Sequence, residues 1–314
     1  MTGKEKCALL REIRIRLAKA NDIPYEPEVC LHGGDCKGTC YTCDCEAKDL
    51  TQKIKQKKRE GHTISWDVVN VNQNMCSSTK VNFQDKDGEV FGHMFGPPNK
   101  GRISEYRKNE PNTFPLIGIE RLRINTDGPG IRALIAVHGC PLRCKFCINP
   151  AAVYTENWDV YTPQDVYEAI KDDAVYYRST NGGVTFGGGE PLMYPEFINE
   201  VGKLLPKGLN RWCETSLNVP LENIIACEAA IDHFAVDIKT LSPDIYWAYT
   251  GGELSRVLEN LNWLSQKRGT DAITLRIPII PGFTNEADQQ YAMKYFRNRG
   301  FANIDEFTYI TDGI

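Results

Sequence analysis

Three cysteines fall within one octapeptide, Cys140-Pro-Leu-Arg-Cys144-Lys-Phe-Cys147, in a C-x3-C-x2-C spacing. The nearest other cysteines in sequence are Cys76 and Cys213. Thiolates are the ligands of iron–sulfur clusters, and a cubane ordinarily takes four of them. Three from one tight loop leave one iron open to a small molecule, and an open coordination position distinguishes a reactive site from a structural one. The other reading of the same residues is a zinc knuckle completed by a distant ligand such as Cys213.

The flanking pattern gives this loop a frame. Residues 115–314 alternate short β-rich runs with helical patterns. Ile131–His138 reads as a strand ending at the cysteine loop, and Gly183–Phe186, Arg211–Thr215, His233–Asp237, Ala272–Ile277 and Asp305–Tyr309 continue the series. Thr162-Pro-Gln-Asp165 opens a helix, with Thr162 as N-cap and Pro163 in the first turn. Further helices are expected at 196–205, 221–230, 253–267 and 285–298. Six strand–helix steps predict an α/β fold, a parallel sheet or partial (β/α)6 barrel, in which ligands collect at the carboxyl ends of the strands.

Residues 1–62 read differently: two helices, Cys7–Lys19 and Glu46–Arg59, flank a segment holding Cys30, Cys36, Cys40, Cys43 and Cys45. Residues 63–113 are expected to hold a hairpin turning at Lys86-Asp87-Gly88, then a Pro- and charge-rich linker. The barrel would occupy 114–314. Twelve cysteines in a chain whose start resembles no secretory signal point to metal rather than disulfides, and to a cytoplasmic setting. Cys30, Cys36, Cys40 and Cys43 could close a four-thiolate site. Their spacing matches neither the common ferredoxin runs nor a zinc ribbon, so an auxiliary [4Fe–4S] cluster and a structural zinc stand level. Cys7, Cys76, Cys213 and Cys227 read as small buried hydrophobes. A net charge of −4 gives no reason to expect nucleic acid or an anionic membrane as partner, and no stretch approaches the ~20 apolar residues of a membrane span.

A glycine run, Gly187-Gly188-Gly189-Glu190-Pro191, closes the second strand. Glycines let backbone approach a ligand closely, and a carboxylate there can hold a cationic amino group. With no Gly-Lys-[Ser/Thr] following, this is not a P-loop. Asp237 and Lys239 alternate, so both can point to one face; the plainer reading is an ion pair at a strand end. Arg276 could be a structural charge paired with a carboxylate, and Glu214 a solvated strand-end acid.

In order along the chain stand Thr126-Asp-Gly-Pro-Gly130, Gly139–Cys147, Asn149-Pro150, Gly182–Pro191, Glu214-Thr-Ser216, Asp237-Ile-Lys239, Tyr249-Thr-Gly251 and Arg276–Gly282. From about Gly118 onward the chain thereby resembles the radical S-adenosylmethionine (SAM) superfamily. Within it, the likeness is to glycyl radical enzyme activating enzymes of the pyruvate formate-lyase type. The resemblance implies that Cys140, Cys144 and Cys147 ligate a [4Fe–4S] cluster whose fourth iron is chelated by SAM. It implies that Phe146 packs near the adenine, and that Gly188, Gly189 and Glu190 hold the SAM amino group. Glu214, Thr215, Ser216, Asp237 and Lys239 would line the ribose, carboxylate and sulfonium end, with Arg276 facing the same mouth and Asp127 near the substrate glycine loop.

The implied reaction is one-electron cleavage of SAM to methionine and a 5′-deoxyadenosyl radical, which takes hydrogen from a glycine of a large partner enzyme. The electron would come from a donor such as flavodoxin or ferredoxin. Three departures stand out: Gly187 replaces a frequent serine, extra cysteines precede the first motif, and no histidine follows His233 where relatives carry one near SAM. The alternatives are a radical SAM enzyme acting on another peptide or small molecule, and a non-catalytic iron–sulfur or zinc protein.

Overall fold

The computed structural model describes residues 2–28, 39–66, 112–154 and 158–309. The hairpin and most of the linker expected in 63–113 lie outside the described residues, as do Cys30, Cys36 and Cys76. Eight strands form one sheet: β1 (Phe114–Ile124), β2 (Ile131–Val137), β3 (Asp159–Tyr161), β4 (Gly183–Gly188), β5 (Asn210–Thr215), β6 (His233–Asp237), β7 (Ile273–Ile279) and β8 (Ile304–Thr308). Their order is β3-β1-β2-β4-β5-β6-β7-β8. From β2 to β8 every pairing is parallel, which is the expected partial (β/α)6 barrel. The addition is at the other end, where β1 runs antiparallel to both β2 and β3.

Local chemistry accounts for these elements. All seven residues of β2 are buried, as a strand covered on both faces requires. Helix α4 (Pro163–Ile170), which follows α1 (Gly3–Ala20), α2 (Tyr41–Arg59) and a short α3 (Ala151–Tyr154), starts with proline at its first position. Its capping box pairs Thr162 with Asp165, satisfying otherwise orphaned amides. Next come α5 (Ala174–Ser179), α6 (Pro195–Leu204), α7 (Leu221–Cys227), α8 (Pro243–Thr250), α9 (Leu254–Arg268) and α10 (Glu286–Arg297). Ser242 caps α8, and Gly251 ends it with φ +71°, a left-handed turn suited to glycine. No described helix is long and apolar enough to cross a membrane.

The described N-terminal helices join the barrel's core rather than standing off it. Leu10, Ile13, Leu17, Leu50 and Ile54 belong to the same buried cluster as Val184, Phe186, Phe234, Leu275 and Phe296. Arg14 donates to Tyr25, to Tyr176 of α5 and to Glu46 of α2. Arg121 of β1 donates to Asp44 of α2 at 3.0 and 3.1 Å and to Asp173 at 2.7 and 3.0 Å.

The interior also holds a stack of polar aromatics. Trp212 and His233 are neighbours in the β5–β6 register and stack at 4.0 Å. The Arg132 guanidinium lies 5.2 Å from the Trp212 ring centroid. Burial first, and the Arg132 charge second, push His233 down to about 4. A depressed histidine stabilises the fold fully above its unfolded value of about 6.5 and loses that contribution as pH falls towards 4. We expect at most about 3 kcal/mol of acid destabilisation over that window from this one group. His233→Gln should flatten the dependence of the urea midpoint between pH 7 and 5; an unaltered slope would contradict the assignment.

Candidate active site

The cysteine loop leaves the carboxyl end of β2 and is fastened on three sides. Gly139 N–H donates to Ala152 at 2.7 Å, Glu190 N–H to Gly139 at 2.8 Å, and the Arg143 and Lys145 amides to Thr250 and Tyr249 at 2.8 and 3.1 Å. Cys140, Cys144 and Cys147 are free thiols, each half-buried. Burial, then the nearby Glu190 charge, pushes Cys140 up to about 12, and burial pushes Cys144 up to about 11. Burial raises Cys147 too, against an N–H bond from Asn149. Becoming thiolates in such surroundings requires a strong local positive charge, which a bound metal centre provides.

Among the described residues no three Cys, His, Asp or Glu side chains are arranged to hold a single metal ion; a cubane distributes its thiolates over separate irons. Cys213, the distant partner of a zinc knuckle, is fully buried in β5 within the apolar core. The donor set fits an iron–sulfur cluster with one open position.

Glycine and carboxylate next to the loop are turned inward. A Cβ at Gly189 would lie 2.0 Å from the Gly139 carbonyl oxygen, and one at Gly188 (φ +90°) 2.8 Å from Ala136. These residues let β4 close onto the root of the cysteine loop, the close approach being to backbone. Glu190 is 1% exposed. Its carboxylate accepts from Thr215 Oγ1 at 2.7 Å, Ser216 N at 2.9 Å, Ser216 Oγ at 2.7 Å and Leu192 N at 3.2 Å. Burial still raises its pKa, against these four donors. Thr215 and Ser216 thus spend their hydroxyls on Glu190.

A second group gathers at the ends of β5, β6 and β7. Asp237 and Arg276 are register partners, and Arg276 Nη2 lies 2.8 Å from Glu214 Oε1. That contact is an ion pair without hydrogen-bond alignment, since Glu214 Oε1 lacks an aligned donor. Burial raises Glu214; Arg276 opposes this, while Asp127 and Asp237 reinforce it. Burial works against Arg276, and Glu214, Asp237 and Asp127 overcome it, holding the guanidinium charged. Asp127, 5% exposed, is gripped by Arg123, whose Nη2 donates at 3.0 Å, and by Thr126 Oγ1 at 2.8 Å. A Cβ at Gly187 would stand 3.1 Å from Glu214 Oε2, so glycine at this position leaves room for the glutamate.

Lys239, 7% exposed, donates to Asp237 Oδ2 at 2.8 Å and to Tyr309 Oη at 2.6 Å. Burial disfavours its charge, yet Asp237, Tyr309 and Cys144 raise its pKa well above the usual lysine value. Asp237 is depressed: burial pushes it up, and Lys239 and Arg276 outweigh this. Phe146 lies in an aromatic trio, 6.2 Å from the Tyr249 centroid and 6.1 Å from Phe283.

The fold therefore gathers Glu214, Asp237, Lys239 and Arg276 at the carboxyl ends of β5–β7, the end of the sheet from which the cysteine loop leaves β2. It puts Asp127 on the turn that enters β2 from the opposite end, while Glu190, Thr215 and Ser216 form a buried brace under the cysteine loop. Sequence reasoning missed Tyr309 and Arg123. The alternation of Arg121 and Arg123 on one strand was the available signal for the latter. Of the N-terminal cysteines, Cys40 is the N-cap of α2 and Cys43 lies in its first turn.

The family profile of the Radical SAM superfamily matches residues 134–293, just over half of the chain. The chain is 26% identical to the choline trimethylamine-lyase activating enzyme of Oleidesulfovibrio alaskensis, over 60% of this chain and 81% of that one. It is 28% identical to a 4-hydroxyphenylacetate decarboxylase activating enzyme of Clostridioides difficile, over 52% and 71%. It is 29% identical to the pyruvate formate-lyase 2-activating enzyme of Escherichia coli, over 54% and 68%.

Proposed function

The chain belongs to the radical SAM superfamily, and on that premise we propose that it activates a glycyl radical enzyme by taking hydrogen from a backbone glycine of that partner. The observation that carries this reading is the charged mouth at the ends of β5–β7, at the same carboxyl end of the sheet from which the three-cysteine loop leaves β2. The activating roles of the relatives support it. A [4Fe–4S] cluster with SAM, when bound, supplies reductive cleavage of the sulfonium to a 5′-deoxyadenosyl radical.

The chain's own residues do the rest. Cys140, Cys144 and Cys147 hold the cluster. Lys239 and Arg276 offer positive charge to the SAM carboxylate, Glu214 and Asp237 take its hydroxyl and cationic groups, and Phe146 flanks the adenine. Gly188 and Gly189, with the brace of Glu190, Thr215 and Ser216, set the backbone against which the amino group rests. Asp127, fixed by Arg123 and Thr126, faces the partner's glycine loop, whose entry excludes water.

The same reading includes a one-electron donor such as flavodoxin or ferredoxin. It also includes a second cluster or a zinc on the N-terminal cysteines, Cys40 and Cys43 presenting adjacent thiols at the head of α2.

The test is anaerobic reconstitution, reduction, addition of SAM and assay of 5′-deoxyadenosine, with the Cys140/Cys144/Cys147→Ala triple variant as control. Product that disappears in the triple variant is expected. A protein that holds a cluster yet makes none, even beside a candidate glycyl radical enzyme, would refute the reading.

A further inference from the structure

We propose that Tyr309 is a positioning residue for SAM, acting through Lys239. An ammonium carries three N–H donors. Two of those on Lys239 go to Asp237 Oδ2 and to Tyr309 Oη; among the described residues the third has no protein acceptor. Lys239 is almost wholly buried, so an unspent donor there awaits an acceptor that enters the site.

Tyr309 itself is anchored. It follows β8 directly, and its amide donates to Ile279 at the end of β7 at 2.9 Å. Nζ is 2.6 Å from Oη while the ring centroid stays 5.4 Å away, so the lysine is held by the phenol oxygen. Asp237 and Tyr309 approach from β6 and from the end of β8, fixing two of the three N–H directions, and hence the third. Lys239 follows the end of β6, and the parallel register from β2 to β6 sets it at the same end of the sheet as the cysteine loop that follows β2. An anionic group resting at the open side of the cysteine loop is the acceptor that this arrangement fits, and the SAM carboxylate is that group under the reading above, on which this inference rests.

The experiment measures SAM affinity by equilibrium dialysis on the reconstituted, oxidised protein, alongside the electron paramagnetic resonance spectrum of the reduced cluster with and without SAM. Tyr309→Phe should raise the Kd for SAM about tenfold, the worth of one hydrogen bond to a charged group. It should alter the spectrum only when SAM is present. In a Lys239→Met background, Tyr309→Phe should change nothing further. Wild-type affinity in Tyr309→Phe, or additive losses in the double variant, would overturn the proposal. If Tyr309→Phe fails to keep its cluster, Tyr309→His, which retains an acceptor for Nζ, decides instead: near-wild-type affinity supports the role, and a tenfold loss removes it. Failure of the wild type itself to bind SAM would strike the functional reading, and this inference with it, and is told apart by the wild-type arm alone.

Discussion

Glu190→Ala is expected to cost at least about 3 kcal/mol of folding stability and to strip the cysteine loop of most of its iron. The carboxylate collects four donors, from Thr215, from both polar groups of Ser216 and from Leu192, at a position 1% exposed. Truncation leaves these donors unpaired where water does not reach, and each such loss costs about 1–3 kcal/mol. Because the Glu190 amide also bonds Gly139, the shift passes to the root of the loop. Urea denaturation and iron per chain are the measurements. An unaltered midpoint with only a raised KM for SAM would mean that Glu190 serves the ligand rather than the scaffold.

Arg121→Met is expected to destabilise the protein by about 3 kcal/mol and to expose α1 and α2 to protease. Its guanidinium bridges Asp44 on α2 to Asp173, and the Asp173 side chain is 2% exposed. Burial raises the Asp173 pKa, and the Arg121 guanidinium opposes the rise. Removing the arginine leaves a buried carboxylate uncompensated, which costs about 3–5 kcal/mol when a buried pair is broken one-sidedly; the half-exposed Asp44 adds little. Arg121→Met combined with Asp173→Asn should recover part of the loss. Equal stability of the wild type and Arg121→Met would show that the apolar contacts of Leu10, Ile13 and Leu50 suffice to dock the helices.

The six parallel strands were legible because each is a short β-rich run punctuated by turn residues, and a buried parallel strand has no other plausible composition. β1 was not. Its Pro115, Gly118, Glu120, Arg121 and Arg123 break the apolar run, and the arginines are there to pair with Asp44, Asp173 and Asp127, partners that no local pattern displays. Helix α2 begins at Tyr41 rather than at Glu46, since the cysteines at 43 and 45 read as loop ligands instead of helix residues. In the site, the cysteine loop was legible from its spacing and the polar strand ends from the strand–helix alternation, while the roles of their residues came from the family resemblance. That Thr215 and Ser216 turn towards Glu190 depends on how β4 and β5 lie side by side, which sequence order does not express. Tyr309 was likewise hidden, its role set by a lysine 70 positions earlier.

The fastening of the cysteine loop bears on how such a protein refills its site. Its backbone is held by α3, by the turn after β4 and by the end of α8 through bonds that involve no metal. The path of the loop is therefore set by the elements around it as well as by any centre bound there. A chain that gives up an inorganic centre from this loop keeps those backbone bonds, so taking the centre up again calls for no rebuilding of the loop.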